Sequence, residues 1–187
     1  MVDNQEKIMD EMLILVDDND ICVGFDSKIQ IHRRGVLHRA FSLFIFDQHG
    51  RFLLQKRAEK KYHSAGLWTN TCCGHPRQAE ELACAAHRRL QEEMGFDCAL
   101  NKVATLTYRA QLTNDLIEHE YDHIFIGLFH GSPVVDPAEV ADWKWLTLSE
   151  ITKLIKINPE KFSVWFIEIF NQTPHDELKR WSRMMSC

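Results

Sequence analysis

The sequence has 187 residues, a length that suits one domain able to bury a core without disulfides. Hydrophobic residues make up 45% and charged residues 26%, which excludes disorder over most of the chain. With 22 basic and 27 acidic side chains the formal net charge is −5, which excludes a surface-wide nucleic-acid footprint and leaves room for a local anion pocket.

The opening, Met1 to Glu6, is acidic and polar and lacks the basic head and apolar run of a signal peptide. No apolar stretch approaches the roughly 20 residues that span a bilayer. None of the six cysteines falls in a Cys-x-x-Cys pair. A reducing cytoplasm with free thiols is expected, with no membrane or nucleic-acid partner. Residues 11–25 read as two short strands around the acidic turn Asp17–Asp20. Phe41–Phe46 and Arg51–Arg57 read as strands joined by Asp47-Gln48-His49-Gly50. Residues 58–79 hold Gly66, Gly74 and Pro76 without a clear period and read as a long loop, a feature that in compact domains often carries function.

A helix is expected over Glu80–Met94, stopped by Gly95. Further strands are expected over Val103–Ala110, Glu118–Phe129 and Trp143–Leu146. Ser149 reads as the cap of a helix over Glu150–Lys156, and a last helix runs from Pro159 to Asn171. The segment 173–187 is polar with one Trp and reads as a short helix or a frayed end. No repeat or linker divides the chain, so a single domain over 1–187 is expected, with its core over about 28–171. Strands and helices mix without regular alternation, which gives an α+β class, a mixed β-sheet sandwich flanked by helices.

On a helix of about 100° per residue, Leu82, Ala83, Ala86, Leu90 and Met94 form the apolar stripe. Arg88 and Glu92 fall opposite, as a solvated pair. Glu93 falls about 50° from the centre of the stripe, where it either reaches water at the helix end or turns towards the core. A carboxylate turned towards a core needs an arginine or a metal ion, because burying it alone costs several kcal/mol.

The run Gly74-x5-Glu80-x7-Arg88-Arg89-Leu90-Gln91-Glu92-Glu93-Met94-Gly95-Phe96 resembles the Nudix box, a loop–helix unit that holds divalent metal against a diphosphate. Arg89 departs from it, standing where Nudix hydrolases usually carry a Glu that holds metal for water attack. Trp68-Thr69-Asn70-Thr71-Cys72-Cys73-Gly74-His75-Pro76 leads into the box. Together with Lys28-x3-His32, Leu37-His38-Arg39-Ala40-Phe41-Ser42, Arg57-x3-Lys61, Tyr108-Arg109-Ala110, Glu118-His119-Glu120 and Phe162-Ser163-Val164-Trp165, it resembles the type I isopentenyl-diphosphate isomerases, a Nudix-fold family, over about Lys28–Trp165.

Residue type admits a metal, although any one histidine taken alone more often packs or lies at the surface. Glu118 and Glu120 lie two apart on an expected strand, share a face, and repel unless a cation or proton sits between them. His32, His38 and His75 supply imidazoles that suit Zn, Mn or Fe. The resemblance implies one ion, Zn²⁺ or Mn²⁺/Mg²⁺, on His32, His38, His75, Glu118 and Glu120. It also implies that Cys73 and Glu120 add and remove protons on opposite faces of a five-carbon alkene, with Tyr108 hydrogen-bonded to Glu120. Trp165 would stabilise the intervening carbocation and Trp68 would wall the pocket. Lys28, Arg57, Lys61 and Arg89 would contact the diphosphate. Glu93 and the Cys73 backbone carbonyl would hold a Mg²⁺ bound to it. Cys72 is assigned to packing and Asp122 to structure. The implied partner is a small prenyl diphosphate, and the implied assembly a monomer or weak homodimer. A Nudix hydrolase and a non-catalytic metal-binding module are the competing classes. Arg89 and the Cys73/His75 segment weigh against the first, and the presence of both proton-transfer residues against the second.

Overall fold

The structure is a computed structural model, and it describes residues 11–112 and 115–184. The acidic opening segment and Cys187 lie outside the described residues.

Nine strands form one mixed sheet: β1 (Met12–Val16), β2 (Cys22–Ser27), β3 (His38–Phe46), β4 (Phe52–Arg57), β5 (Trp68–Thr69), β6 (Cys72–Gly74), β7 (Leu100–Gln111), β8 (Ile117–Leu128) and β9 (Val140–Leu146). β3 is central and pairs parallel with β8 along its whole length, from His38↔Glu120 to Phe46↔Leu128. It also pairs antiparallel with β6, through Phe41↔Gly74, Ser42↔Cys73 and Leu43↔Cys72. β7 and β8 form a long antiparallel hairpin. No helix among the described residues is long and apolar enough to cross a membrane.

Side-chain alternation splits the core into two layers. Leu43, Ile45, Cys72 and Phe125 face α2 (Leu82–Met94) and pack on Ala85, Ala86, Leu90 and Met94. Phe44, Phe46, Ile124 and Ile126 face the opposite way, onto α4 (Val164–Gln172) and α5 (His175–Met184), through Trp165, Phe166, Ile169 and Trp181. The expected α+β sandwich is therefore the observed one, and Cys72 does face packing.

Several elements differ from expectation. A seven-residue helix, α1 (Lys28–Arg34), follows Ser27 and stops at Gly35 in the left-handed region at φ 63°. The expected loop over 58–79 contains β5 and β6. On α2, Ala83 is exposed and Ala85 is buried, against the expected stripe. At Gly95 (φ 73°) an added Cβ would lie 2.1 Å from the Val134 carbonyl oxygen, so only glycine lets the next segment cross there. Thr147, not Ser149, caps α3 (Leu148–Ile157): it forms a reciprocal capping box with Glu150, which the Thr-x-x-Glu spacing favours. The last expected helix is a 3-10 turn (Pro159–Lys161) followed by α4. The 173–187 segment is ordered into α5 as far as Met184, and its Trp181 is fully buried against Phe44.

Candidate active site

Strand register assembles half of the site. Tyr108 on β7 stands directly opposite Glu120 on β8, which stands opposite His38 on β3. The three therefore form one row on one face of the sheet. Two residues along β8, Glu118 shares that face. The other imidazoles arrive from the flanks. His75 follows β6, and His32 lies one turn after Lys28 on α1, so the Lys28-x3-His32 spacing puts both on the same side of that helix.

His32, His38, His75 and Glu118 are all buried, and their ligand atoms lie within 4.8 Å of one another. Glu120 joins them, with Oε1 2.9 Å from His75 Nε2 and 3.8 Å from His38 Nε2. Backbone carbonyls fix two ring tautomers: His32 Nδ1 donates to the Lys28 carbonyl at 2.6 Å, and His38 Nδ1 to that of Val36 at 2.9 Å. Each Nε2 lone pair is left pointing into the cluster. His32 Nε2 then faces Glu118 Oε2 at 3.1 Å, and both atoms are buried without a hydrogen-bond partner. His38 and His75 face each other Nε2 to Nε2 at 3.2 Å. Two nitrogens each about 2.1 Å from one ion stand at roughly this separation. The donor set and its orphaned lone pairs fit a divalent cation.

The titration behaviour agrees. Burial pushes His38 down to about 4 and lowers His75 well below the usual histidine range, so both rings are neutral ligands. Burial works against the Glu118 carboxylate, yet the His32 ring beside it holds it well below the usual range. Glu120 is raised well above the carboxylate range by burial and by the charges of Glu118 and Asp122. Tyr108 donates its hydroxyl to Glu120 Oε2 and is itself raised by burial and by Glu120, so it stays a neutral donor. Asp122, pushed up by burial to about 7, accepts from Ser42 Oγ at 2.8 Å.

Beside this cluster opens a cavity of about 130 Å³. Its lining includes Cys73, His63, His75, Glu118, Glu120 and Trp165. Burial raises the Cys73 thiol far above its ordinary range, so it rests protonated. Lys28, Arg57, Lys61 and Arg89 line the cavity as well, together with Glu11, Glu93 and Glu139. Lys28 pairs with Glu11 at 3.3 Å. Arg57 Nη2 donates to the His63 carbonyl at 3.2 Å, and its guanidinium carbon lies 5.1 Å from the centre of the Trp165 ring. Glu93 does turn inward. It accepts from Arg89 and, at 2.8 Å, from Gln55 Nε2 on β4. The expected partner is thus an arginine, with a buried amide as a second.

Trp68 departs from expectation. Its ring lies outside the cavity lining and carries the Lys144 ammonium at 3.7 Å. Its carbonyl accepts from Ser163 N at 2.9 Å, so it anchors the start of the helix that carries Trp165. His63, Gln55 and Glu139 are cavity or adjoining residues that the sequence reading missed. His63 lies in the 58–79 segment already marked as a functional loop, whereas nothing in the sequence around Gln55 or Glu139 distinguishes them from ordinary strand and turn residues.

A NUDIX domain model matches residues 36–166. The chain is 55% identical over 176 residues to the isopentenyl-diphosphate Delta-isomerase of Serratia proteamaculans, covering 94% of this chain and 98% of that one. It is 51% identical over 174 residues to the enzyme of the same name from Burkholderia multivorans, covering 93% and 99%. Among solved structures, the DR0079 protein of Deinococcus radiodurans superposes with a TM-score of 0.67 at 14% identity, covering 91% and 99%, a likeness of fold alone. The chain belongs to the isopentenyl-diphosphate Delta-isomerase family of Nudix-fold proteins.

Proposed function

We propose that this protein interconverts isopentenyl and dimethylallyl diphosphate by protonation on one face of the alkene and deprotonation on the other. The observation that carries the reading is a protonated thiol, Cys73, and a carboxyl group of raised pKa, Glu120, lining one cavity beside the metal-ligand cluster. An alkene is a very weak base, so its protonation needs an acid in a dry site and a conjugate base ready on the other side. A five-carbon alkenyl chain is close in volume to benzene, which a cavity of about 150 Å³ accepts.

Glu120 is the group tuned for proton traffic, and Tyr108 holds its second oxygen and orients it. Cys73 is the opposed partner, kept neutral until it gives or takes a proton. Trp165 offers an aromatic face against the tertiary cation, a contact worth about 2 kcal/mol where water is excluded. A Zn²⁺ or Mn²⁺/Mg²⁺ ion on His32, His38, His75, Glu118 and Glu120 would fix the Glu120 carboxylate and tune its acidity. Lys28, Arg57, Lys61 and Arg89 bind the diphosphate, arginines as bidentate forks and lysines as point charges. Glu93 and the Cys73 backbone carbonyl would hold a Mg²⁺ ion bound to the diphosphate, which would neutralise part of its charge.

Charge bookkeeping supports two divalent ions. The cavity sets four cations (Lys28, Arg57, Lys61, Arg89) against four carboxylates (Glu11, Glu93, Glu118, Glu139) and the raised carboxyl of Glu120, so it offers a diphosphate no net positive charge. A diphosphate would not enter such a pocket unaided. Residues 28–171 form the catalytic core of one domain, in a cytoplasmic monomer or weak homodimer that requires neither nucleic acid nor membrane. The competing hydrolase reading fails at Arg89, which occupies the place of a metal-holding Glu and is engaged with Glu93.

The test is incubation with isopentenyl diphosphate and Mg²⁺ in D₂O, followed by NMR. Deuterium-bearing dimethylallyl diphosphate is the expected product. Phosphate release without alkene migration would replace this reading by hydrolysis, and unchanged substrate by a non-catalytic module.

A further inference from the structure

Two of the cations that line the cavity, Lys61 and Arg89, are not free. Lys61 Nζ and Arg89 Nη2 both donate to the same atom, Glu139 Oε2, the second at 3.1 Å. The same Arg89 nitrogen also donates to Glu93 Oε1. A single positively charged nitrogen therefore sits between two carboxylates, in the place a small cation would take. Glu139 is not a stray surface acid. Its side chain is only one-fifth exposed, and its backbone is pinned on both sides. Its carbonyl accepts from Ala58 N at 3.0 Å, next to Arg57. The turn that carries it is tied to α2, with Asp136 N donating to the Glu93 carbonyl at 3.0 Å. Arg89, despite burial, is raised above its ordinary range by Glu93 and Glu139, so it remains a full cation.

We propose that Glu139 is the counter-ion that makes the diphosphate subsite respond to magnesium: it holds Lys61 and Arg89 while the subsite is empty and turns, with Glu93, to the Mg²⁺ that arrives on the diphosphate. A bare diphosphate must pull both cations away from Glu139 and leave that carboxylate half-buried beside a polyanion. A Mg²⁺-bound diphosphate brings the replacement cation with it. Glu139 is thus a positioning and selectivity residue, and the step breaks no covalent bond. The inference rests on the diphosphate reading above.

Inorganic pyrophosphate is the probe, titrated calorimetrically into full-length protein carrying one equivalent of Zn²⁺, with and without Mg²⁺. The wild type is expected to bind Mg²⁺-pyrophosphate at least about tenfold more tightly than the bare ion, a difference of about 1.4 kcal/mol. Glu139→Gln is expected to bind bare pyrophosphate about tenfold better than the wild type and to lose most of the Mg²⁺ preference. Glu139→Asp, which keeps the charge, is expected to keep the preference, and it guards against a Gln variant that fails to fold. A Glu139→Gln protein that melts like the wild type yet keeps its Mg²⁺ preference, or loses affinity equally in both arms, overturns the proposal. A Glu139→Asp protein without the preference does the same. A wild type that binds neither form overturns the diphosphate reading itself.

Discussion

The two sides proposed for the cavity, a proton-transfer wall and a diphosphate wall, are built by different means. The proton-transfer wall is set by strand register. Tyr108, Glu120 and His38 are direct cross-strand neighbours, and two of the three histidines are locked by backbone carbonyls. The diphosphate wall is made of long side chains, each with a hydrogen-bond or ion-pair partner of its own: Lys28 with Glu11, Lys61 and Arg89 with Glu139, and Arg57 with the His63 carbonyl. Proton transfer to carbon demands geometry fixed in advance. Capture of a flexible polyanion demands charge that stays soluble and paired until the ligand comes.

The sharpest way to break the comparison is to remove the proton-transfer groups. Cys73→Ala and Glu120→Gln should each lower deuterium incorporation by about 10³-fold or more, with thermal melts close to the wild type. Binding of Mg²⁺-pyrophosphate should change little in the Cys73→Ala protein, since alanine keeps the backbone carbonyl assigned to Mg²⁺ and all four cations remain. A Cys73→Ala protein with more than a tenth of wild-type exchange would remove the thiol from the mechanism.

The difference between the walls also governs what the sequence reveals. The inward turn of Glu93 follows from helical period, and the common face of Glu118 and Glu120 from strand alternation, because both are local geometry. The partners of Glu93 are not local. Gln55 reaches it from a strand 38 residues away, and no periodicity reports such a contact. α1 is only seven residues long, too short for a hydrophobic period to emerge, though Ser27 before it and Gly35 after it are usable start and stop signals. β5 and β6, of two and three residues, exist only because β4 and β3 offer them edges. The polar composition of α5 hides an amphipathic helix whose Leu178 and Trp181 close the core beneath the site. Trp181→Ala should therefore cost about 3–5 kcal/mol in denaturant unfolding, a loss no frayed tail would show.

Metal removal separates the walls at a smaller scale. Adding Zn²⁺ at a hundredfold excess over its dissociation constant should stabilise the apo-protein by about 2.7 kcal/mol, read as a rise in melting temperature. His32→Ala should abolish that rise, whereas Lys61→Met should leave it intact. The apo-protein should also weaken in mild acid. Burial holds His38 at about 4 in the folded state, below its unfolded value, so the unfolded chain binds more protons in between. Stability then falls as pH drops from about 6.5 towards 4. An apo-protein whose stability stays flat across that window would mean that the cluster already carries a proton.

The finest test concerns the hydrogen bond that Gln55 donates to Glu93. Gln55 is buried on β4, two residues before Arg57, and its Nε2 donates to Glu93 while its own Oε1 has no hydrogen-bond partner. A neutral donor from a strand fixes where Glu93 points without competing for its charge, whereas Arg89 does compete. Gln55→Leu leaves a buried carboxylate oxygen short of one donor, a loss of about 1–3 kcal/mol, much of it recoverable if Arg89 shifts to fill the gap. The expected result is a Mg²⁺-pyrophosphate affinity lower by about tenfold, with proton exchange at saturating substrate within a few-fold of the wild type. If exchange at saturation fell as far as affinity, the two walls would be mechanically coupled through β4, and the division drawn between them would fail.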